Sequence, residues 1–248
     1  MSLRLLSYNI RYGGTGREKL LASVINSCAP DLVILQEAGD PEVVRQLAAA
    51  CGMKSWGANR GDSLGFLSRI EIARYAWHNV LLGKRRYLEI LPVRPNIRVF
   101  GLHLSAIHSN PTEWRRTFEL RSLLSQIADY REAFHLVTGD FNTLAPGEEL
   151  DVRRLPPRLR ALLWMGGGRV RWRTIRLMIE AGYSDAYRFL HPGDPGHTFP
   201  TWDPNIRLDY LFTPAAFQSR ITGCEVIRNA PEAGTASDHF PLLSEVTE

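Results

Sequence analysis

Apolar residues recur along the chain in short unbroken runs that stop at polar residues. Leu3 to Ile10 carries Asn9 near its end, Leu32 to Leu35 is followed by Gln36 and Glu37, and Phe134 to Thr138 leads into Gly139-Asp140-Phe141-Asn142. Runs of that length read as buried strands, and the punctuating residues place carboxylates, amides and imidazoles where the strands end. Between them the period changes: Glu18 to Cys28 has apolar residues at Leu20, Leu21, Val24, Ile25 and Cys28, the repeat of an amphipathic helix. Pro41 to Cys51, with proline in its first turn and Gly52 just past its end, is predicted as a second helix.

Further along, Leu64 to Leu67, Ile70 to Ala76 and Tyr87 to Leu91 read as short strands of an antiparallel region. Arg98 to Leu104 is another strand and carries His103. A helix is predicted from Thr112 to about Tyr130, with Phe118, Leu120, Leu124 and Ile127 on its buried side. The last third gives strands over Ile206 to Phe212, Ile221 to Ile227 and Phe240 to Val246, with Asp209 in the first and Asp238-His239 just before the last. No internal repeat or linker divides the chain, so one domain over residues 1–248 is expected.

The region from about 150 to 181 departs from this pattern. It contains Pro156-Pro157, a run of three glycines from Gly166, and eight arginines from Arg153 to Arg176 with Trp164 and Trp172 among them. Two helices, Arg158 to Met165 and Arg169 to Ala181, are expected to form a basic hairpin, suited either to a phosphate backbone or to peripheral membrane contact through 153–176, or simply a solvated cationic face.

Charge adds one point. The net charge is +4, and only Lys19, Lys54 and Lys84 are lysines, so 27 of the 30 basic residues are arginine, whose planar fork suits phosphate oxygens. Cys28, Cys51 and Cys224 are odd in number and widely spaced, which points to buried apolar fillers. No apolar stretch has the length of a membrane span and no signal peptide precedes the first strand, so a cytoplasmic location is expected.

The polar strand ends form the chemical signal. Asn9, Glu37, His103, Asp140, Asn142, Asp209, Asp238 and His239 stand beside buried strands, where ionised groups are costly without a partner. A shared cation would be that partner. Oxygen donors with few histidines and no thiolates suit Mg²⁺, with Mn²⁺ as an alternative, better than Zn²⁺.

Asn9 in Ser-Tyr-Asn-Ile, Glu37 in Pro-Asp-Leu-Val-Ile-Leu-Gln-Glu, Gly-Asp-Phe-Asn, Arg-Leu-Asp-Tyr and Ser-Asp-His occur in an order that resembles the endonuclease/exonuclease/phosphatase superfamily. That superfamily includes pancreatic-type deoxyribonucleases, AP endonucleases, neutral sphingomyelinases and inositol polyphosphate 5-phosphatases. The resemblance implies an α/β four-layer sandwich, two mixed β-sheets packed face to face with helices outside. It implies that Asn9, Glu37 and Asp238 belong to the metal region, that Asp140 orients or deprotonates water, and that Asn142 and His239 bind phosphate, with Asp209 holding His239. His103 resembles a second imidazole on the leaving-group side and argues against a dedicated AP endonuclease; Glu89 is expected as its acidic partner, and His108 as a loop residue. Arg69, in a stretch shared with the superfamily, is a candidate phosphate contact, as are Arg11 and Arg116; Thr198 and Trp202 are candidates to line a groove. The implied activity is Mg²⁺-dependent hydrolysis of phosphodiesters by metal-assisted water attack, with nucleic acid favoured as substrate. A phospholipid, sphingolipid or inositol phosphate substrate is the alternative, and an inactive binding protein of the same fold ranks last.

Overall fold

Alternation along the strands sorts the apolar side chains into layers, and the layers fix which residues reach the polar rim. The computed structural model describes residues 1–80, 85–106, 110–148, 151–154, 160–161 and 172–248. Among these residues twelve strands form two six-stranded sheets. The first runs in the order β11 (Ile221–Val226), β12 (Leu242–Thr247), β1 (Ser2–Asn9), β2 (Leu32–Gln36), β4 (Leu64–Ser68) and β3 (Ser55–Ala58). The second runs β5 (Ile72–Asn79), β6 (Arg86–Pro92), β7 (Arg98–His103), β8 (His135–Asp140), β10 (Asp209–Pro214) and β9 (Tyr183–Asp185).

Each sheet is mixed for the same reason. A helix-bearing crossover joins β1 to β2 and another joins β7 to β8, so these central pairs are parallel, while the remaining neighbours are antiparallel. The inner faces meet in one apolar layer that combines Leu3, Leu5, Leu32 and Ile34 from the first sheet with Leu88, Ile90, Val99, Leu136 and Leu211 from the second. Helices Glu18–Cys28 and Pro41–Ala50 cover the outside of the first sheet through Leu21, Val24, Ile25, Val43 and Leu47. Helices Asn110–Gln126 and Arg173–Glu180 cover the second through Leu120, Leu124, Ile175 and Met178. The expected four-layer sandwich of two mixed sheets between helices is therefore present.

Some local expectations need correction. Phe118 is 41 % exposed, because its position falls on the solvent side of a helix whose sheet-facing stripe is Leu120, Leu123, Leu124 and Ile127. That helix ends at Gln126, with Ala128–Tyr130 winding into a 3-10 turn. The strand expected from Ile206 begins only at Asp209; Ile206 makes an isolated bridge to Phe199. Strands β3 and β9 had no clear alternation to announce them. The three cysteines are buried and free, as apolar fillers would be. His108 lies outside the described residues; of the helix expected over 158–165 only residues 160–161 are described, both helical, and of the second basic helix Arg173–Glu180 is described. Among the described residues no helix is long and apolar enough to cross a membrane.

Candidate active site

Strand direction gathers the polar residues at one rim. β1, β2, β7 and β8 all end there, delivering Asn9, Glu37, His103 and Asp140; β10 is antiparallel to β8 and starts there with Asp209, and His239 precedes β12, which is antiparallel to β1. Parity then chooses the face. Asn9, His103, Asp140 and Asp209 lie an even number of residues from Leu5, Val99, Leu136 and Leu211 of the inner layer, so all four point into the space between the sheets. Glu37 has the opposite parity to inward-facing Ile34, and it reaches the site because its backbone turns through φ +58°. Its carboxylate accepts from Tyr12 N at 2.5 Å and from Asn9 Nδ2 at 3.3 Å.

Asp140 is the hub. It is fully buried and pairs in register with His103 on one side and Asp209 on the other. Its Oδ1 accepts from Asn142 N at 2.8 Å, and its Oδ2 accepts from Asn9 Nδ2 and Asn142 Nδ2, each at 3.0 Å. Asn142 adopts φ +52°, which folds its side chain back over Asp140, and Nδ2 also donates to Leu104 O at 3.1 Å. One amide proton of Asn142 thus goes to Asp140 and the other to Leu104 O, so the residue that the resemblance implies as a phosphate contact also orients Asp140.

Two imidazoles flank the same carboxylate oxygen. His103 Nε2 lies 3.7 Å and His239 Nε2 4.0 Å from Asp140 Oδ2, too far for direct hydrogen bonds and wide enough for an oxygen atom to be shared among them. His239 Nδ1 is 2.8 Å from Asp209 Oδ2, which places the proton on Nδ1 and holds the ring. Burial alone would lower the pKa of His239, but the carboxylates of Asp209, Asp140 and Asp238 outweigh it and push it up to about 9. His103 receives Arg85 Nη1 at 3.4 Å on Nδ1, so its proton resides on Nε2, and burial, aided by the charges of Arg85 and His239, pushes its pKa down to about 3. Burial also raises Asp140, to about 7, with Asp209 adding to the shift and His239 and the amide hydrogen bonds opposing it. The site combines a cationic imidazole, a neutral imidazole and a carboxylate of unusually high basicity.

The donor set fits a hard divalent cation. Glu37, Asn9, Asp140 and Asp209 supply oxygens without a thiolate, and Asp209 Oδ1 is buried with no hydrogen-bond partner among the described residues. Such an orphaned carboxylate oxygen calls for a cation or a water. No group of three acidic, histidine or cysteine side chains among the described residues forms a complete cage. Asp238, expected in the metal region, is paired through Oδ2 with Arg11 Nε at 3.2 Å.

Of the other candidates, Arg69 and Glu89 stand away from the rim, whereas Arg116, Thr198 and Trp202 lie near it. Arg69 follows β4, which runs antiparallel to β2 and pairs Ser68 with Leu32; Arg69 therefore sits at the opposite end of the sheet from Glu37, near Cys51 O. Glu89 is paired with Phe100, whose side chain belongs to the outer layer, and it binds His78 and Arg98 instead of His103. Arg116 is buried, bridging Glu113 and Ser105 O. Thr198 is buried and accepts from Leu208 N and Asp209 N, fixing the start of β10, while Trp202 is 67 % exposed. Sequence reasoning missed Arg85, Ser237, whose Oγ donates to Asn9 O at 2.6 Å, and Phe199, whose ring centre lies 4.9 Å from that of His239. A lone arginine, serine or phenylalanine in a loop carries no signal of its own.

Comparison with known proteins accords with this geometry. Residues 6–239 match the family model described as the Endonuclease/Exonuclease/phosphatase family. No curated protein matches the chain. Among solved structures, D. rerio TDP2 complexed with single strand DNA product is 18 % identical with a TM-score of 0.69, covering 100 % of this chain and 99 % of its own. The 3' phosphatase NExo from Neisseria bound to product DNA hairpin is 16 % identical with a TM-score of 0.71, covering 99 % and 100 %. An AP endonuclease from Archaeoglobus fulgidus is 18 % identical with a TM-score of 0.69, covering 98 % of each chain. At such identities these likenesses concern the fold. With the family model spanning nearly the whole sequence, the chain belongs to the endonuclease/exonuclease/phosphatase family.

Proposed function

We propose that the chain, acting as one catalytic domain, is a Mg²⁺-dependent phosphodiester hydrolase whose substrate is nucleic acid. The observation that carries this reading is the buried Asp140 carboxylate standing between two imidazoles, one of them held by Asp209 through its far nitrogen. Hydrolysis of a phosphodiester needs a base for water and donors for the charge that builds on the phosphoryl oxygens. Asp140, oriented by Asn9 and Asn142, takes the proton of the attacking water. His239, cationic and fixed by Asp209, donates from Nε2 to a non-bridging oxygen. His103, neutral with its proton on Nε2, donates toward the leaving oxygen. A divalent cation held by Glu37 and Asn9 would add Lewis-acid stabilisation of the phosphate oxygens. Losing one such donor costs about 2.7 to 4 kcal/mol of transition-state stabilisation in comparable sites.

Nucleic acid is favoured by the arginine-rich composition and by relatives of the same fold whose structures hold DNA products. The test is a substrate panel of single-stranded DNA, RNA, sphingomyelin and inositol polyphosphate, each with Mg²⁺ and with a chelator. Chelator-sensitive hydrolysis of an oligonucleotide above the other substrates supports the reading. Preference for a lipid or inositol phosphate overturns the nucleic-acid assignment.

A further inference from the structure

The helices that cover the second sheet form a groove that the proposed chemistry does not use. Helix Asn110–Gln126 begins beside the rim, where Ser105, two residues beyond His103, donates to Glu119 and Arg116 donates to Ser105 O. Helix Arg173–Glu180 starts at the same place, because buried Glu113 accepts from Thr174 N at 2.9 Å and from Thr174 Oγ1 at 3.0 Å. With both starts tied together, the two helices run side by side away from the site.

The trough between them is cationic. One cavity of about 490 Å³ is lined by Arg121, Arg173 and Arg176, and a second of about 490 Å³ continues from it past Arg121 to Arg131. Among the described residues the only acid lining either is Glu180. Some other surface arginines, Arg45, Arg86 and Arg115, are neutralised by Glu42, Asp62 and Glu119. Among the described residues none of the four groove arginines is ion-paired. At the rim end Trp114 is 54 % exposed, with the Arg173 guanidinium stacked 4.2 Å from its ring centre.

An exposed tryptophan braced by a guanidinium, followed by a file of unneutralised arginines, matches what a single nucleic-acid strand requires: one flat surface for a base and charges spaced for successive phosphates. From Trp114 to Gln126 the helix spans roughly 18 Å at about 1.5 Å per residue, enough for several nucleotides. A bilayer surface, being flat, would not fill a trough. We infer that this groove, headed by Trp114, is an accessory track that holds the single-stranded part of a nucleic-acid substrate next to the active site. The inference rests on the phosphodiesterase reading of that site and deepens it by naming the strand form it takes.

The experiment measures binding and chemistry separately. Fluorescence anisotropy of a labelled 12-nucleotide single-stranded DNA, in chelator and across a salt series, compares the wild type with R121Q/R173Q/R176Q and with W114A. Turnover of bis(p-nitrophenyl) phosphate, too small to reach the groove, is measured alongside with Mg²⁺. The triple variant is expected to bind at least tenfold more weakly, and its slope of log affinity against log salt is expected to fall by about 2, at roughly 0.7 per lost phosphate contact. W114A is expected to weaken binding with the slope unchanged, and both variants should turn over the small substrate at the wild-type rate. The single variants R121Q and R176Q, each giving part of the loss, guard against a folding defect. Unchanged DNA binding, no DNA binding by the wild type, or arginine-dependent capture of phosphatidylserine vesicles in its place would overturn the track. Failure of the small substrate to turn over in the wild type would instead strike the catalytic reading.

Discussion

His239 Nδ1 stands 2.8 Å from Asp209 Oδ2, and both side chains are buried. The register that pairs Asp209 directly with Asp140 sets this contact, so one strand pairing helps to position both Asp140 and His239. Asp209→Asn removes the charge that keeps His239 protonated. We expect the pKa of His239, pushed up to about 9 in the wild type, to fall, and kcat on bis(p-nitrophenyl) phosphate to drop by about 100-fold or more. Proton NMR of the imidazole resonance and steady-state kinetics check the two halves of this expectation.

Asn142 spends both amide protons, on Asp140 Oδ2 and Leu104 O. Asn142→Ala leaves these buried acceptors short of a donor, a loss of about 1 to 3 kcal/mol in stability, and among the described residues Asp140 is then held only by Asn9 Nδ2 and the backbone N–H of residue 142. Chemical denaturation should show the loss. If Asn142 acts as a positioning residue, kcat falls with little change in KM; a rise in KM alone would instead mark a direct substrate contact.

Gly139, one residue before Asp140, has φ +143°, and a Cβ placed there would lie 2.0 Å from Leu102 O. No side-chain rotation relieves a clash with backbone. Gly139→Ala must therefore push β8 away from β7 at the point where His103 and Asp140 meet. Expected are a stability loss of roughly 3 kcal/mol by thermal or chemical unfolding and loss of most activity in the fraction that still folds.

At the opposite end of β8, His135 is buried, donating from Nδ1 to Ala133 O at 2.9 Å and accepting at Nε2 from Tyr183 Oη at 2.8 Å. Burial pushes its pKa below the usual imidazole range, outweighing its backbone hydrogen bonds. Above about pH 6.5 the ring is neutral in folded and unfolded chains alike and pH has no leverage through it. As pH falls below that value the unfolded chain takes up a proton that the folded chain refuses, and stability drops. His135→Gln should flatten the fall of denaturation midpoint between pH 7 and 5 relative to wild type.

Polar residues at the ends of apolar runs made much of this legible in the sequence. Asn9, His103, Asp140 and Asp209 are recognisable in the sequence as polar residues beside apolar runs and in the motif order, and in the structure their even spacing from inward-facing residues turns all four into the space between the sheets. The departures have equally local causes. Glu37 turns inward only through a left-handed backbone, and Glu89 faces outward by one residue of register. Arg69 lies at the far end because β4 is antiparallel, a pairing that no single run of residues encodes. Arg85 meets His103 through tertiary packing alone.

The most direct test of the account is hydrolysis of bis(p-nitrophenyl) phosphate with Mg²⁺ by purified wild type, Asp140→Asn and His239→Ala, prepared identically so that a contaminating nuclease would be seen in all three. Chelator-sensitive turnover by the wild type, reduced at least 100-fold in each variant with folding intact by circular dichroism, is the expected result. Turnover that survives either substitution unchanged would contradict the placement of the chemistry at this rim.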